Sequence, residues 1–466
     1  MKKLFYLYLL FSLFTSFSSL QAISEEQEAE ASNFKVNNTD ALEVLPDRII
    51  LQGNVSITSL GGEADNNFTL STSKLVSLKN AAGEYGDIEC FGISNIKSSK
   101  FTLRANKLFF RKDLKTKKYT RLEAFGDVIV VATDSSQNLK APRVFIDLIN
   151  KKLLAYDGVK ASQIIEDKGK KQKVDISSIE QEIDLNSNLS TGKQLIAKKS
   201  VITSLEGEAN IFSEYMELYK TKGQMEKAVF SGANTYLLTK DNVRGDGDPI
   251  IYYLQSKVLN IMSPANGNKK AKLTKTDGTI IEGDFIEYGT ETKSLKVRSK
   301  NSEKSEVQTA DGTIIRGEFI DYTENSLLVR GGKEKAYLKL PASEKNGSQG
   351  ELVIMADMIE NKEISPTESL LTAQQNNYDE NDLVELNYGL KKGWGKKLLI
   401  NQDKSVLDKQ NDYLILVDKA HLIDPEKKQN LFAPIIKIGL GNKNLESGIT
   451  GRAKGFIPMT KNNTTK

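Results

Sequence analysis

The chain of 466 residues holds one His, one Cys, one Trp and nine Pro. Zinc clusters, Ser-His-Asp triads and disulfide frameworks need imidazoles or thiols in numbers this sequence does not have. The thiol, Cys90, sits in the ordinary run from Asp87 to Ile93 with no second Cys or His beside it, and reads as a small buried hydrophobe. The imidazole, His421, lies between Asp418 and Leu422 with no nucleophile motif near it, and reads as structural or solvated. A Gly-x-x-x-x-Gly-Lys-Ser/Thr phosphate loop is missing too, since Gly192-Lys193 is followed by Gln194. No catalytic residue, metal or cofactor is assigned, and the expectation is a protein that is not an enzyme.

An excess of one charge is also lacking. Lys and Arg number 65 against 61 Asp and Glu, a formal charge of +4, so nothing points to a nucleic-acid partner. The Lys groups at Lys168–Lys173, Lys269–Lys272 and Lys391–Lys397 sit beside Gly or Asn, or among acids, and read as solvated loop tips. At 39% hydrophobic and 27% charged, the composition is that of a folded chain.

The one long apolar run is at the start. Lys2 and Lys3 precede apolar Leu4–Phe17 and then Ser18, Ser19, Leu20, Gln21 and Ala22, the pattern of a secretory signal over residues 1–22. Leu20 at the minus-three position is larger than a signal peptidase prefers, which keeps an uncleaved inner-membrane anchor as the alternative. Without residues 1–22 the charge is +2. No later run approaches the roughly 18–20 apolar residues that cross a bilayer as a helix. The expected location is the periplasm of a two-membrane bacterium.

What the chain has in quantity is repetition. The segment Asp277–Tyr288 matches Asp311–Tyr322 at nine of twelve positions with an offset of 34. A looser form, a small residue and then alternating apolar positions, recurs at Ala105–Phe110, Ala141–Ile146 and Ser213–Leu218, and in part at Ala356–Ile359. Between these copies lies a second element, alternating apolar residues on both sides of a Gly. It appears as Ile49, Leu51, Gly53, Asn54, Val55 and Ile57, again as Leu122, Ala124, Gly126, Asp127, Val128 and Val130, and begins once more at Ala228, Phe230 and Gly232. A period of two on both sides of a Gly predicts two half-buried strands meeting at a bend. The tripeptide Arg244-Gly245-Asp246 falls in register with Glu282-Gly283-Asp284 and Arg316-Gly317-Glu318, so it belongs to the repeat rather than to an adhesion signal.

Alternating β-branched and aromatic residues, with Asp277-Gly278 and Asp311-Gly312 as hairpin turns, predict an all-β chain, an elongated stack of bent antiparallel strands. Such a stack has no three-dimensional core but an apolar slot along its axis. The expected divisions are a signal at 1–22, a flexible acidic lead-in at 23–43, a first β-block at 44–165 and a charged linker or loop at 166–199. A second β-block follows at 200–362 and a C-terminal β extension or cap at 363–466.

Together, the signal, the alternating strands, the Gly-Asn-Val and Gly-Asp-Val bends and the recurrent Ala-Asn/Gly-Asp-x-apolar-x-apolar element resemble the OstA-like family. That family includes the periplasmic bridge protein of lipopolysaccharide transport and the N-terminal domain of its outer-membrane partner. The resemblance covers about residues 44–165 and, less clearly, 200–362. It implies a β-jellyroll or β-taco fold with an open apolar groove that shields acyl chains between inner and outer membrane. It also implies partners: lipopolysaccharide or another glycolipid, an inner-membrane transporter complex and an outer-membrane translocon joined by strand augmentation, and end-to-end copies of the chain. The chain departs from the family in length, because a typical bridge protein has one such domain.

Groove candidates are the residues in phase with the bends: Val55, Ile57, Leu108, Phe110, Val128, Val130, Val144 and Ile146, then Met216, Leu218, Ile286, Tyr288, Ile320 and Tyr322. Phe109, Phe145, Phe285 and Phe319 on the opposite phase are apolar as well, so alternation alone leaves the facing open by one residue. Packing of these residues against one another, in a β-solenoid scaffold or adhesin without lipid cargo, is the alternative reading. A polysaccharide-cleaving β-helix would need a compact set of carboxylates, and Asp284, Glu287, Glu318 and Asp321 follow turn positions instead.

Overall fold

Among the described residues of the computed structural model every regular element is an antiparallel β-strand, and the fold is all-β and jellyroll-like. The structure describes residues 34–456 except 60–67, 80–84, 100, 114, 116–118, 134, 168–169, 186–190, 206–208, 223, 266–268, 301–303, 324, 343–349, 366–367, 376–381, 404–412, 440–447 and 451–453. The expected signal at 1–22 and the acidic stretch Glu25–Ala31 lie outside the described residues. The chain divides into two compact units, Met1–Ala233 and Asn234–Lys466.

Unit 1 begins with β1 (Phe34–Asn38), β2 (Ala41–Val44), β3 (Arg48–Ser59), β4 (Phe68–Lys79), β5 (Tyr85–Ser98) and β6 (Phe101–Lys112). It continues through β7 (Tyr119–Ala132), β8 (Gln137–Asp147), β9 (Lys152–Asp167), β10 (Lys170–Asp184), β11 (Gly192–Leu205), β12 (Ala209–Thr221) and β13 (Gln224–Ser231). From β3 onward each strand pairs with the next, a plain meander, while β1 and β2 share the free edge of β3.

Near the middle of nearly every long strand the register slips, between Gln52 and Val55 on β3, Phe91 and Ser94 on β5, and Phe125 and Val128 on β7. Left-handed residues sit at these slips on alternate strands, as at Gly126 (φ 76°) and Asp127 (φ 47°). A Cβ on Gly126 would fall 2.8 Å from Asn106 Nδ2 of the neighbouring strand, so both conformation and space favour Gly there. The bulges line up across the meander and bend it along one line, so each strand supplies a segment to each of two facing arms.

Unit 2 uses shorter strands: β14 (Tyr236–Thr239), β15 (Arg244–Asp246), β16 (Ile250–Tyr253), β17 (Val258–Met262), β18 (Ala271–Thr274), β19 (Ile280–Gly283), β20 (Phe285–Gly289) and β21 (Leu295–Arg298). Then come β22 (Ser305–Gln308), β23 (Ile314–Gly317), β24 (Phe319–Thr323), β25 (Ser326–Arg330), β26 (Ala336–Leu340), β27 (Leu352–Ala356), β28 (Met358–Ser365) and β29 (Glu368–Gln374). The last are β30 (Val384–Tyr388), β31 (Lys391–Gly395), β32 (Lys397–Asp403), β33 (Tyr413–Asp424), β34 (Gln429–Gly439), β35 (Gly448–Thr450) and β36 (Lys454–Phe456).

Hairpins alternate between two ladders. One runs β14, β15, β18, β19, β22, β23, β26, β27, β30, β31. The other runs β16, β17, β20, β21, β24, β25, β28, β29, β32. Strand β33 joins both, its first half on β32 and its second on β31. One circuit of two hairpins is the 34-residue repeat of the sequence: Asp277-Gly278 turns β18 into β19, the chain crosses at Asp284, and Asp311 opens the next circuit. At the crossings the backbone bonding continues. Ser263 N–H donates to Asp284 O at 2.9 Å, Asp284 N–H to Arg298 O at 2.9 Å and Glu318 N–H to Arg330 O at 2.9 Å.

Three sequence expectations differ from this arrangement. Where a charged linker or loop was expected at 166–199, β10 and β11 continue the meander: Lys171, Lys173, Lys193 and Lys199 are exposed, while Val174, Ile176, Leu195 and Ala197 are buried, together with the polar Ser178, Gln181 and Gln194. Within the lead-in 23–43, Phe34–Asn38 and most of β2 are already paired to β3. The boundary between units falls after Ala233, whereas the expected blocks separate at 166–199. Residues beyond 363 extend the same two ladders through β29–β34.

Candidate functional site

The pairing register sorts the inner face of unit 1 into rows that run across the strands. On one arm, the row beside the bend is Leu75, Cys90, Leu108, Ala124, Val144, Ala155, Gln181 and Ala197. The next row outward is Ile88, Phe110, Leu122, Ile146, Leu153 and Ile183. On the facing arm, the bend row includes Ser94, Ala105, Val128 and Ala141, and the next is Leu70, Ile96, Leu103, Val130, Leu139 and Ala161. The bend rows pack against each other: Leu108, Ala124, Val128 and Val144 are all 0% exposed.

Further from the bend the arms separate and leave a cavity of about 250 Å³. Phe110, Leu122, Ile146, Leu153 and Ile183 line one wall, and Phe68, Ile96, Phe101, Val130 and Leu139 the other. Polar groups occur at the rim, at Ser98, Gln137, Asn138, Asp147 and Lys151, beside Leu148 and Leu185. On the β4 side the walls meet: the Phe68 and Phe110 rings stack at 6.1 Å and 6°, and Tyr119 sets its edge on Phe110 at 6.2 Å.

Of the sequence candidates, Phe110, Val130 and Ile146 line this cavity. Val55, Leu108, Val128 and Val144 lie in the packed bend rows beneath its level, and Ile57 packs on β3 away from it; all five belong to the buried core cluster. Met216 and Leu218 are fully buried on β12. In unit 2, Ile286, Tyr288 and Ile320 are buried, while Tyr322 is 40% exposed with Lys275 Nζ 5.5 Å from its ring centroid.

The facing left open by the sequence is resolved. Phe109 and Phe145 lie half-buried on the outer face, where Phe109, Phe125, Phe145 and Tyr156 contact one another at 5.7, 5.8 and 5.6 Å. Arg111 covers Phe109 at 4.7 Å and Arg121 covers Phe145 at 4.5 Å. Phe285 and Phe319 are also on the outer phase, half-buried.

Wall residues that sequence reasoning missed are Phe68, Ile96, Phe101, Leu122, Leu139, Leu153 and Ile183. Their signal is position: each sits near a hairpin end, where the arms stand furthest apart.

Electrostatics at the site are local. Burial pushes the Cys90 thiol far up, and Glu89 adds to it, so the group stays neutral. Burial likewise pushes up the Tyr119 hydroxyl, which donates to Gly86 O at 2.7 Å. At the rim, burial works against the Asp147 carboxylate, but the N–H groups of Asn150 and Ile149, the Asn150 side chain and Lys152 outweigh it and hold its pKa below the ordinary value. His421 stands between Trp394 and Phe432, at 5.0 and 3.9 Å, and shares a 2.8 Å hydrogen bond with Asn430. Arg244 pairs with Asp246 at 2.7 Å within β15. Among the described residues no group of three His, Cys, Asp or Glu side chains could hold a metal.

The fold and this site define an antiparallel β-protein with an apolar cavity between two arms of one bent sheet and polar groups at its rim. Comparison of the sequence with protein-family models and with curated proteins gave no match.

Proposed function

We propose that the chain is a periplasmic lipid-binding bridge of the OstA-like kind, shielding acyl chains of lipopolysaccharide or a related glycolipid between inner and outer membrane. The observation that carries this reading is the unit 1 cavity, apolar on both walls and polar at its rim, the complement of an amphiphile with its tail inside and its head in water. Each methylene taken from water is worth about 0.8 kcal/mol, so a chain of roughly fourteen carbons needs on the order of 10 kcal/mol of shielding. Apolar walls supply that by contact alone. Directional movement would come from partners, an inner-membrane transporter complex and an outer-membrane translocon engaged by strand augmentation.

The test places a photoreactive residue at Phe110 or Val130, both on the cavity wall, and at outward Phe109 as control. Expected are lipid adducts at the first two and none at Phe109. Illumination in cells that yields no adduct at Phe110 or Val130 counts against the reading.

A further inference from the structure

The chain is close to neutral overall, but its cations are not evenly engaged. On the outward side of the arm whose inner row holds Leu122 and Ile146, most of them have partners. Arg111 pairs with Asp87 at 2.9 Å, Arg121 with Glu123 at 3.0 Å and Lys152 with Glu182 at 2.5 Å, while Lys107 lies over the Phe91 and Phe109 rings, both at 4.7 Å. The facing arm is different. Its segments on β4 to β9, residues 68–72, 94–98, 101–105, 128–132, 137–141 and 159–165, hold Lys97, Arg104, Lys140 and Lys160 and no Asp or Glu. All four cations are exposed, and no ion pair, side-chain hydrogen bond or ring contact joins any of them to another of the described residues. Of the acids that border this face, Asp157 pairs with Arg143 and Asp175 with Lys173, which leaves Asp127 at the bend.

Register sorts the outward side of this arm into rows. One runs Ser71, Asn95, Arg104, Ile129, Lys140 and Lys160 across β4 to β9, and the next holds Lys97, Thr102, Val131 and Asn138. Lys140 and Lys160 are direct cross-strand partners, an arrangement of like charges that weakens a free sheet. An anionic surface laid over the face turns the same arrangement into an attraction. From Lys97 on β5 to Lys160 on β9 there are four strand steps, about 19 Å at about 4.8 Å each. Cations on long flexible stems, spread that far over a sheet face, suit a plane of negative groups rather than a single ligand. Between them on β7, Ile129 and Val131 stand half-buried and supply apolar contact that a lipid interface accepts and a soluble polyanion does not. We propose that this outward face is a docking surface for an anionic phospholipid bilayer, with Lys97, Arg104, Lys140 and Lys160 as its contact residues. The inference does not depend on what fills the cavity, which lies on the inner side of the same arm. The two are adjacent nonetheless. Asn138, in the row of Lys97, and Ser98, the residue after it, belong to the cavity's rim, so the docked face holds that rim beside lipid.

The experiment is co-sedimentation of the mature chain, residues 23–466, which lacks the apolar run that would insert by itself, with vesicles of two compositions. One is phosphatidylcholine alone, the other an equimolar mixture of phosphatidylcholine and phosphatidylglycerol. The chain should bind the mixed vesicles and not the neutral ones, and added salt should release it. Removing a cation from the face should weaken partition about fivefold, so Arg104→Gln, Lys140→Gln and Lys160→Gln together should weaken it on the order of a hundredfold. The urea midpoint of this triple variant should not fall, because like charges are being removed. Lys222→Gln, Lys392→Gln and Lys428→Gln together remove the same charge from exposed positions elsewhere and should matter far less. Equal losses in the two triple variants overturn the proposal, as does equal binding to both kinds of vesicle or binding to neither. Tighter binding to poly-L-glutamate than to the mixed vesicles, lost in the first triple variant, would give the face to an acidic chain and overturn the bilayer assignment.

Discussion

Gly283 of the twelve-residue repeat offers a direct test of how closely the two ladders of unit 2 approach. A Cβ at this position would fall 2.5 Å from Val297 Cγ1 and 3.1 Å from Arg298 O. Val297 belongs to β21 in the ladder opposite β19, so the Gly is there because the facing side chain occupies the space a methyl would need. Its φ is not left-handed, so alanine meets no conformational obstacle and gains about 0.4–1 kcal/mol from the unfolded state. Overpacking of this kind costs about 1–3 kcal/mol, which leaves Gly283→Ala less stable by about 1–2 kcal/mol. Val297→Ala removes the clashing methyl, so the double variant should be more stable than the two single losses added together, by about 1 kcal/mol or more. At the equivalent Gly317 the contacts are Val329 Cγ1 and Arg330 O, both at 2.7 Å. Backbone cannot be trimmed away, so Val329→Ala should rescue Gly317→Ala by less. Urea unfolding followed through Trp394, the chain's one tryptophan and a residue of unit 2, reads these differences at constant m. An unchanged midpoint in Gly283→Ala, or strict additivity with Val297→Ala, would refute the close approach.

Two further outcomes follow from the site chemistry. Cys90 lies between Leu75 and Leu108 at 0% exposure with its thiol held neutral, so a thiol reagent should leave the folded chain untouched and titrate one group in denaturant; rapid labelling of the native chain would contradict this. Asp147 has a folded pKa below its ordinary value of 3.8, so the unfolded chain takes up the proton more readily. Its stabilising effect is complete above 3.8 and is lost as pH falls through the lower folded value. The acid limb of a stability–pH profile should therefore be shallower in Asp147→Asn than in the native chain, and identical limbs would argue against it.

Strand character was legible because a period of two with one face buried leaves little freedom: sliding a strand by one residue would bring Phe109 and Arg111 inside in place of Leu108 and Phe110. Bends at Gly53, Gly126 and Gly232 were legible from the residue type. The bend at Lys199 and Ser200 was not, because these residues take φ 63° and 53° without any compositional mark. Nor was the cavity. Leu108 and Phe110 share phase, strand and apolar character, and only distance from the bend puts one in packed core and the other on a wall. That distance is a property of the folded arms, with no counterpart in alternation. The 34-residue offset, by contrast, was visible as identity, yet its meaning as one circuit through two ladders depends on pairings between residues far apart in the chain.

The free edge of β3 has one more consequence. Its 12 residues are not faced by a single partner but by β1 with 5 and β2 with 4, parted at Thr39 and Asp40, where the Asp40 N–H turns back to Gln52 O and Gly53 O at 3.1 and 3.2 Å. An incoming strand from another molecule therefore meets two brief ledges with a step between them. Short, interrupted edges are poor templates for indiscriminate aggregation, so a newcomer that docks at this end has to be shaped for the step.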